Sequence, residues 1–412
     1  MTMMMRRALT LLAGALLLPA SAAQARWITS WAASPVPPGP SMGPMPASPS
    51  FDDQTIRQTL RLSAGGGALR VRLSNAYGEG PLAIGGARVA ILDADGRERP
   101  GTSRRLTFGG ATTATIPKGA PFVSDTVALP APPFAKVAVT LYLPGKTGPC
   151  TCHPVGLEPA ELSARGDFSA APFAAATTLT TRAFLTAIEV DASASAQTVV
   201  ALGDSITDGV GSTPGADRRW PDVLADRLHK AGLLRGVANA GISGNRVLND
   251  GAGVSALARF DDDVLALPGV STVILLEGVN DLGLSFGHFS GDFARMMGNR
   301  PQPRVTADDI IAGYRQLIAR AHAHGIRVIG ATILPYKGAL YWTPEGEAAR
   351  TAINRFIRTG GAFDGMVDFD AAVRDPSDPA AMRAGTHMGD HLHGSDAGYK
   401  AMADAIDLRL LR

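Results

Sequence analysis

The sequence has few of the residues that mark specialised classes of protein. Only 2 of its 412 residues are cysteine, which excludes a small fold held together by many disulfides. Charged residues make up 18% of the chain, the formal net charge is +2, and no dense run of Lys or Arg occurs. We therefore expect no nucleic-acid partner. Beyond the N-terminus no apolar run is long enough to span a bilayer, so no stable membrane insertion is expected.

The first 25 residues have the organisation of a cleavable signal peptide. Arg6 and Arg7 form a positive segment, Ala8 to Leu18 form a short apolar one, and small residues follow at a suitable cleavage site. The apolar segment is too short to cross a bilayer comfortably. We therefore expect residues 1–25 to be removed and the mature protein to be secreted or periplasmic.

The two cysteines, Cys150 and Cys152, are followed directly by His153. Cys-x-Cys-His has the form of part of a metal site, but further thiols are lacking. Export would permit a disulfide, although residues two positions apart close a small and strained ring. The pattern favours two structural cysteines, bridged or free, and neither is expected to be catalytic.

Residues 26–190 consist of short apolar or alternating runs separated by turn residues. Ile56 to Leu62 and Leu69 to Leu73 alternate with a period of two, so each is expected to bury one face of a strand. Helical periodicity is nearly absent here. The pattern predicts a β-sandwich accessory domain of jelly-roll type.

The pattern of apolar residues changes after residues 191–197, a segment of small and polar residues that we interpret as a linker. Over residues 198–412, continuous apolar strands alternate with amphipathic helices, which predicts a parallel sheet covered on both faces. Ligands of such sheets bind at the carboxyl ends of the strands. Polar motifs follow three of these predicted strands.

A candidate nucleophile and base occur in two of the motifs. Ser205 ends the apolar strand in Gly-Asp-Ser, where a strand-end serine would project into the ligand crevice, although a serine there could also be a turn or cap residue. Asp390 and His393 are three positions apart, so in a turn the carboxylate can hold one ring nitrogen while the other accepts the serine proton. This predicts Ser205 as nucleophile, His393 as general base and Asp390 as the carboxylate that orients it.

Two further motifs offer hydrogen-bond donors for a developing oxyanion. Gly244 lacks a Cβ, so its N–H can approach a reacting oxygen closely, and the side-chain amide of Asn280 can donate as well. Both residue types are also ordinary turn formers. With the N–H of Ser205 they would make an oxyanion hole of three donors.

A metal site is the alternative interpretation of the C-terminal motif. Four potential ligands lie close together: His387, Asp390, His391 and His393. Such residues could hold zinc, but that role would leave Ser205, Gly244 and Asn280 unexplained. We therefore expect neither a metal nor a cofactor.

Taken in order, the motifs resemble those of the SGNH hydrolase superfamily, also called GDSL esterases and lipases. The resemblance extends over about residues 197–412 and is carried by the following residues: Gly203-Asp204-Ser205, Gly244, Gly278-x-Asn280-Asp281 and Asp390-x-x-His393. It implies a flavodoxin-like three-layer α/β/α fold, metal-free ester hydrolysis, and selection of His393 rather than the neighbouring His391 as the base.

The N-terminal part is similar to the opening of exported two-domain bacterial members of this superfamily. The similarity lies in Trp27 to Trp31, Gln54 to Arg57 and Leu73 to Gly78. In those proteins a β-rich module precedes the hydrolase domain, and a similar architecture occurs among carbohydrate esterases that deacetylate plant polysaccharides.

These observations predict an exported serine esterase acting on short-chain acyl or aryl esters. The alternatives are a polysaccharide O-acetylesterase acting on acetylated xylan or pectin, a lipase or lysophospholipase, and a glycan-binding protein with an inactive hydrolase domain. The expected partner is accordingly a small-molecule or polysaccharide ester.

Overall fold

The computed structural model describes residues 26–40, 47–170, 173–287 and 302–412. The predicted signal peptide, residues 1–25, lies outside these ranges. Within them, no helix combines the length and the apolar character that crossing a membrane requires.

The N-terminal part of the chain is built of short β-strands. In chain order they are β1 Arg26–Ala32, β2 Gln54–Arg61, β3 Leu69–Ser74, β4 Leu82–Ile84, β5 Gly86–Ile91, β6 Arg104–Arg105, β7 Ala114–Ile116, β8 Pro121–Val123, β9 Lys136–Leu143, β10 Cys152–His153, β11 Ala160–Arg165, β12 Thr177–Leu179, β13 Arg182–Ala183 and β14 Leu185–Ala192. In β3 the apolar residues Leu69, Val71 and Leu73 are buried and the arginines between them are half-buried. This alternation is what a strand with one face on a core requires.

Two antiparallel sheets enclose the core of this part. One has the strand order β1-β14-β3-β8 and the other β12-β11-β2-β9-β5-β6. Ile28 and Val71 from the first sheet and Ile56 and Val139 from the second belong to one buried apolar cluster. The region is therefore β-rich, as predicted, and fits a β-sandwich. The jelly-roll connectivity stays a prediction.

The C-terminal part alternates strands and helices. Its elements are β15 Gln197–Gly203, α1 Ser205–Asp208, α2 Trp220–Lys230, β16 Arg235–Gly241, α3 Ala256–Phe260, β17 Val270–Leu276, α4 Val279–Phe286, α5 Ala307–Ala323, β18 Arg327–Ala331, α6 Pro344–Thr359, β19 Gly365–Val367, α7 Phe369–Val373 and α8 Asp396–Asp404. A π-helical turn, Asp261–Leu265, continues α3, and a 3-10 turn, Leu408–Leu411, follows α8.

Strands β15 to β19 form one parallel sheet in the order β16-β15-β17-β18-β19. This order, with the first strand inside the sheet, is that of flavodoxin-like doubly wound folds. Residues 198–203 of β15 are all buried, as expected for a strand covered on both faces. The predicted α/β class with a parallel sheet is confirmed. Gly203 at the end of β15 is in register with Gly241 of β16 and Leu276 of β17, so the three strand ends lie side by side.

The β-rich part packs against the edge strand of the parallel sheet. Val237 of β16 donates its N–H to Ser63 Oγ (2.8 Å), and Thr29 of β1 donates its N–H to Thr198 Oγ1 of β15 (2.9 Å). Only residues 193–196 separate β14 from β15, so the connection is shorter than the 191–197 expected from composition. Covering β16 in this way protects the N–H and C=O groups of a sheet edge.

Gly236 of β16 permits the close approach of the two parts. A Cβ at this position would lie 2.1 Å from the carbonyl oxygen of Thr29. We expect Gly236→Ala to lower the free energy of unfolding by about 1–3 kcal/mol, because backbone on both sides must shift. Thermal denaturation followed by circular dichroism measures this.

Gly67→Ala is the control, since a Cβ at Gly67 meets nothing within 4 Å. It should change stability by no more than about 0.5 kcal/mol. Equal melting temperatures for the two variants would contradict the predicted packing.

Candidate active site

Ser205 lies immediately beyond β15, as the first residue of α1. Asp204 caps this short helix, since its Oδ1 accepts the N–H of Ile206 at 2.9 Å. The backbone therefore turns sharply from strand to helix at the nucleophile candidate, at the carboxyl edge of the parallel sheet. This is the position that the strand pattern predicted for Ser205.

His393 meets Ser205 although the two are separated by 188 positions in the sequence. Nε2 of His393 lies 2.8 Å from Ser205 Oγ, and Nδ1 lies 2.5 Å from Asp390 Oδ2. Hydroxyl, imidazole and carboxylate thus form one continuous hydrogen-bonded relay. Such a relay can move a proton from the hydroxyl to the ring while the carboxylate holds the ring's other nitrogen.

The Asp390 carboxylate is held by its own turn. Its Oδ1 accepts the backbone N–H groups of Leu392 and His393, each at 3.0 Å. Partial burial would raise the pKa of Asp390, but hydrogen bonds from the ring and N–H of His393 and from the N–H of Leu392 outweigh it and hold that pKa well below its usual range. The Asp390 carboxylate is therefore ionised at neutral pH.

The neighbouring histidine faces elsewhere. His391 has a backbone φ of 61°, and its ring centroid lies 4.5 Å from that of His387. Nδ1 of His387 accepts the backbone N–H of Gly389 at 3.1 Å. The structure thus joins His393 rather than His391 to Ser205. Among the residues that the structure describes, no group of three or more His, Cys, Asp or Glu side chains could hold a metal ion.

The two candidate oxyanion motifs are joined to each other. Gly244 lies in a tight turn with φ of 79°, a left-handed conformation that favours glycine, and the turn is closed by the N–H of Asn245 donating to Ile242 O at 3.0 Å. Asn280 lies in the first turn of α4 and donates from Nδ2 to Asn245 O at 2.9 Å. A side-chain amide carries two N–H hydrogens, so this bond leaves a second one for a ligand.

Tyr341 orients the Asn280 amide. Its hydroxyl donates to Asn280 Oδ1 at 3.2 Å, and the tyrosine itself is buried. Because the oxygen of the amide is held by a donor, its NH₂ group must face the Gly244 turn. Nothing in the local sequence around Tyr341 indicates this role, since it depends on a contact between residues 61 positions apart.

Arg259 of α3 forms hydrogen bonds with the ends of two neighbouring strands and with the loop that follows β16. Its guanidinium donates to Gly203 O (2.9 Å), to Ala240 O (2.7 Å) and to Asn245 Oδ1 (2.9 Å). It is buried and paired with Asp263 at 2.7 Å. One available sequence signal was an arginine on the buried face of a helix, three residues after Ala256, where an apolar residue would be expected.

Three acids lie buried beneath the site. Burial raises the pKa of Asp204 to about 7 and that of Asp281 to about 6. Burial, followed by the nearby Asp204, raises the pKa of Glu277 well above its usual range. Asp281 accepts the backbone N–H of Val247 at 2.8 Å, so its role is to shape the loop after the Gly244 turn.

Comparison with known proteins places this arrangement in a family. Residues 201–401 match the GDSL-like lipase/acylhydrolase family. Two solved structures similar to this one are a GDSL-like lipase from Bacteroides thetaiotaomicron (19% identity, TM-score 0.36, covering 52% of this chain and 88% of that one) and Axe2, an acetylxylan esterase from Geobacillus stearothermophilus (22% identity, TM-score 0.38, covering 52% and 94%). Comparison with curated proteins returned no match.

The matched residues contain every motif on which the sequence-based resemblance was founded, from Ser205 to His393. The predicted superfamily and enzyme class are thereby confirmed. Residues 201–401 therefore form a domain of the SGNH hydrolase superfamily, and the protein is a carboxylic ester hydrolase.

Proposed function

We propose that this protein is an exported serine esterase that hydrolyses short-chain acyl or aryl esters through Ser205, His393 and Asp390. The observation that carries the proposal is the relay in which His393 lies 2.8 Å from Ser205 Oγ and 2.5 Å from Asp390. Acyl transfer by a serine requires these three groups in this order.

The first half-reaction forms an acyl-enzyme. Ser205 Oγ attacks the ester carbonyl carbon as its proton passes to Nε2 of His393, and the carbonyl oxygen becomes an oxyanion. The N–H groups of Ser205 and Gly244 and the amide of Asn280 stabilise this charge. The intermediate collapses when its C–O bond to the alcohol breaks and the His393 proton moves to the departing oxygen.

The second half-reaction releases the acid. Neutral His393 accepts a proton from water, whose oxygen attacks the acyl carbon and forms a second oxyanion in the same hole. The bond to Ser205 Oγ then breaks and the serine regains its proton from His393. Asp390 stays ionised throughout and stabilises each imidazolium that forms.

Two further assignments belong to the same proposal. Residues 198–412 carry the hydrolase chemistry, and residues 26–190 form an accessory domain packed beside it. Export is supported by the composition of residues 1–25 and by the Cys150–Cys152 disulfide, since disulfides persist mainly in oxidising compartments.

Replacing the nucleophile tests the core of the proposal. Ser205→Ala should lower kcat on p-nitrophenyl acetate by about 10⁴-fold or more, because no other group can form the acyl-enzyme. Circular dichroism should show an unchanged fold. Ser271→Ala is the matched control, since Ser271 lies in β17 and bonds Gln197 at the amino end of the sheet. Turnover by the Ser205 variant at the control's rate would refute the mechanism.

The choice of base is tested by a pair of substitutions two positions apart. His393→Asn should reduce kcat by about 10³-fold or more, since the hydroxyl then lacks a proton acceptor. His391→Asn should retain most activity, because asparagine tolerates the positive φ at that position. Equal losses in the two variants would count against His393 as the base.

The oxyanion hole is tested by removing the Asn280 amide. Asn280→Ala should lower kcat by about 10² to 10³-fold with little change in KM, since the donor acts on charge that develops only after attack. Tyr341→Phe should cause a smaller loss in the same direction, because it frees the amide without removing it. A change confined to KM would assign Asn280 to substrate binding instead.

A further inference from the structure

A buried histidine of the β-rich part reaches the back of the active site. His153 of β10 is 5% exposed, and its Nε2 lies 3.1 Å from Oδ1 of Asp208, the last residue of the helix that Ser205 opens. The disulfide between Cys150 and Cys152 adjoins this histidine. The Cys-x-Cys-His motif therefore places a side chain at the junction of the two parts of the chain.

Both ring nitrogens of His153 face acceptors. Nδ1 lies 2.9 Å from the carbonyl oxygen of Ser34, and Nε2 lies 3.0 Å from that of Val155 as well as near Asp208. A neutral imidazole has only one N–H. Its other, unprotonated nitrogen would then face an oxygen that can only accept a hydrogen bond, and this contact would be buried. An imidazolium satisfies all three contacts and supplies the counterion that the buried Asp208 carboxylate needs.

The electrostatics agree with this geometry. Burial alone would lower the pKa of His153, but the charge of Asp208 and the hydrogen bonds to Asp208, Ser34 and Val155 outweigh it and raise that pKa above its usual value. The other charged groups around the pair, from the elements packed against it, are Glu158, Arg182, Arg219 and, through Ser34, Arg259.

Asp208 also binds the residue that precedes Gly244 in the proposed oxyanion turn. Its Oδ2 accepts both the N–H and the hydroxyl of Ser243, at 3.1 and 2.6 Å. Ser243 directly precedes Gly244, whose N–H is one of the oxyanion donors assigned above. One carboxylate thus joins the helix of the nucleophile to the turn of the oxyanion hole.

We propose that His153 is a positioning residue of the esterase site: as an imidazolium it holds Asp208, and Asp208 holds Ser243 and the Gly244 N–H in place. This inference rests on the proposed esterase function. On this proposal, a residue of the β-rich part helps to hold the oxyanion hole of the hydrolase part in place.

The proposal has a definite pH dependence. Because the pKa of His153 is raised in the folded protein, the contact is fully present below the ordinary imidazole pKa of about 6.5 and is lost as the pH rises through the raised value. Loss of the proton from His153 should therefore decrease activity. We expect kcat to fall on the alkaline side for this reason.

The test compares His153→Gln with His153→Leu, using p-nitrophenyl acetate and counting active sites with a fluorophosphonate that labels Ser205. Per labelled site, His153→Gln should lower kcat about tenfold with KM nearly unchanged, since part of one oxyanion donor's contribution is lost. His153→Leu, which keeps no donor, should lose more. The alkaline fall of kcat should be absent from the Gln variant, because its amide does not titrate.

His322→Gln is the matched control. His322 also pairs with a carboxylate, Asp364, at 2.8 Å, but it is exposed and lies in the last turn of α5, and Asp364 accepts the N–H of Val328 near the amino end of β18. It should retain the wild-type kcat and pH profile. The same alkaline fall in His153→Gln as in wild type, with unchanged kcat per labelled site, would overturn the proposal.

Ser243→Ala decides the matter if the His153 variants do not fold. It removes the 2.6 Å hydroxyl contact with Asp208 and leaves the buried ion pair intact. A lower kcat at constant KM supports the positioning role, and a wild-type kcat refutes it. Failure of the esterase assignment is distinguishable, because Ser205→Ala would then remain active whatever the His153 variants do.

Discussion

The parallel alignment of β15, β16 and β17 is the constraint on which the active site depends. Hydrogen bonding in register brings the ends of these strands level, with Gly203 beside both Gly241 and Leu276. The chain leaves each strand at the same edge, so loops that are distant in sequence open into one crevice. Ser205, the turn at Gly244 and the start of α4 at Asn280 therefore become neighbours through the sheet alone.

Arg259 is the buried charge that connects the polar groups at this edge of the sheet. Arg259 donates to two backbone carbonyls at the strand ends: Ala240 O, and Gly203 O, which also accepts the N–H of Ile242. Its charge also lies near the acids beneath the site, with Glu277 at 3.8 Å. Buried polar groups require such partners, so hydrogen bonds and ion pairs, as well as apolar packing, hold this edge of the sheet.

The β-rich part contacts both the parallel sheet and the helix α1 that follows β15. It covers the edge strand β16 through Ser63 and Val237, and through His153 it contacts the carboxylate of Asp208, which joins α1 to the turn before Gly244. The proposed positioning role of His153 would couple the packing between the two parts to the geometry of the site. The coupling is local, since it passes through hydrogen bonds of about 3 Å rather than through a change of overall shape.

Local pattern and motif were enough to predict the α/β class, the β-rich N-terminal region and the superfamily, because strand alternation, buried apolar runs and short catalytic motifs are properties of neighbouring residues. The sequence motifs also predicted the three residues of the relay, Ser205, Asp390 and His393. The contributions of Tyr341 and Asp208 could not be predicted, since each acts on a residue far away in the chain and carries no local signature. For Arg259 the one local sign was an arginine on the buried face of α3, which does not reveal its partners. Cys150, Cys152 and His153 show the same division: their spacing was visible in the sequence, but the burial of His153 against Asp208 follows only from how two separately patterned regions pack together.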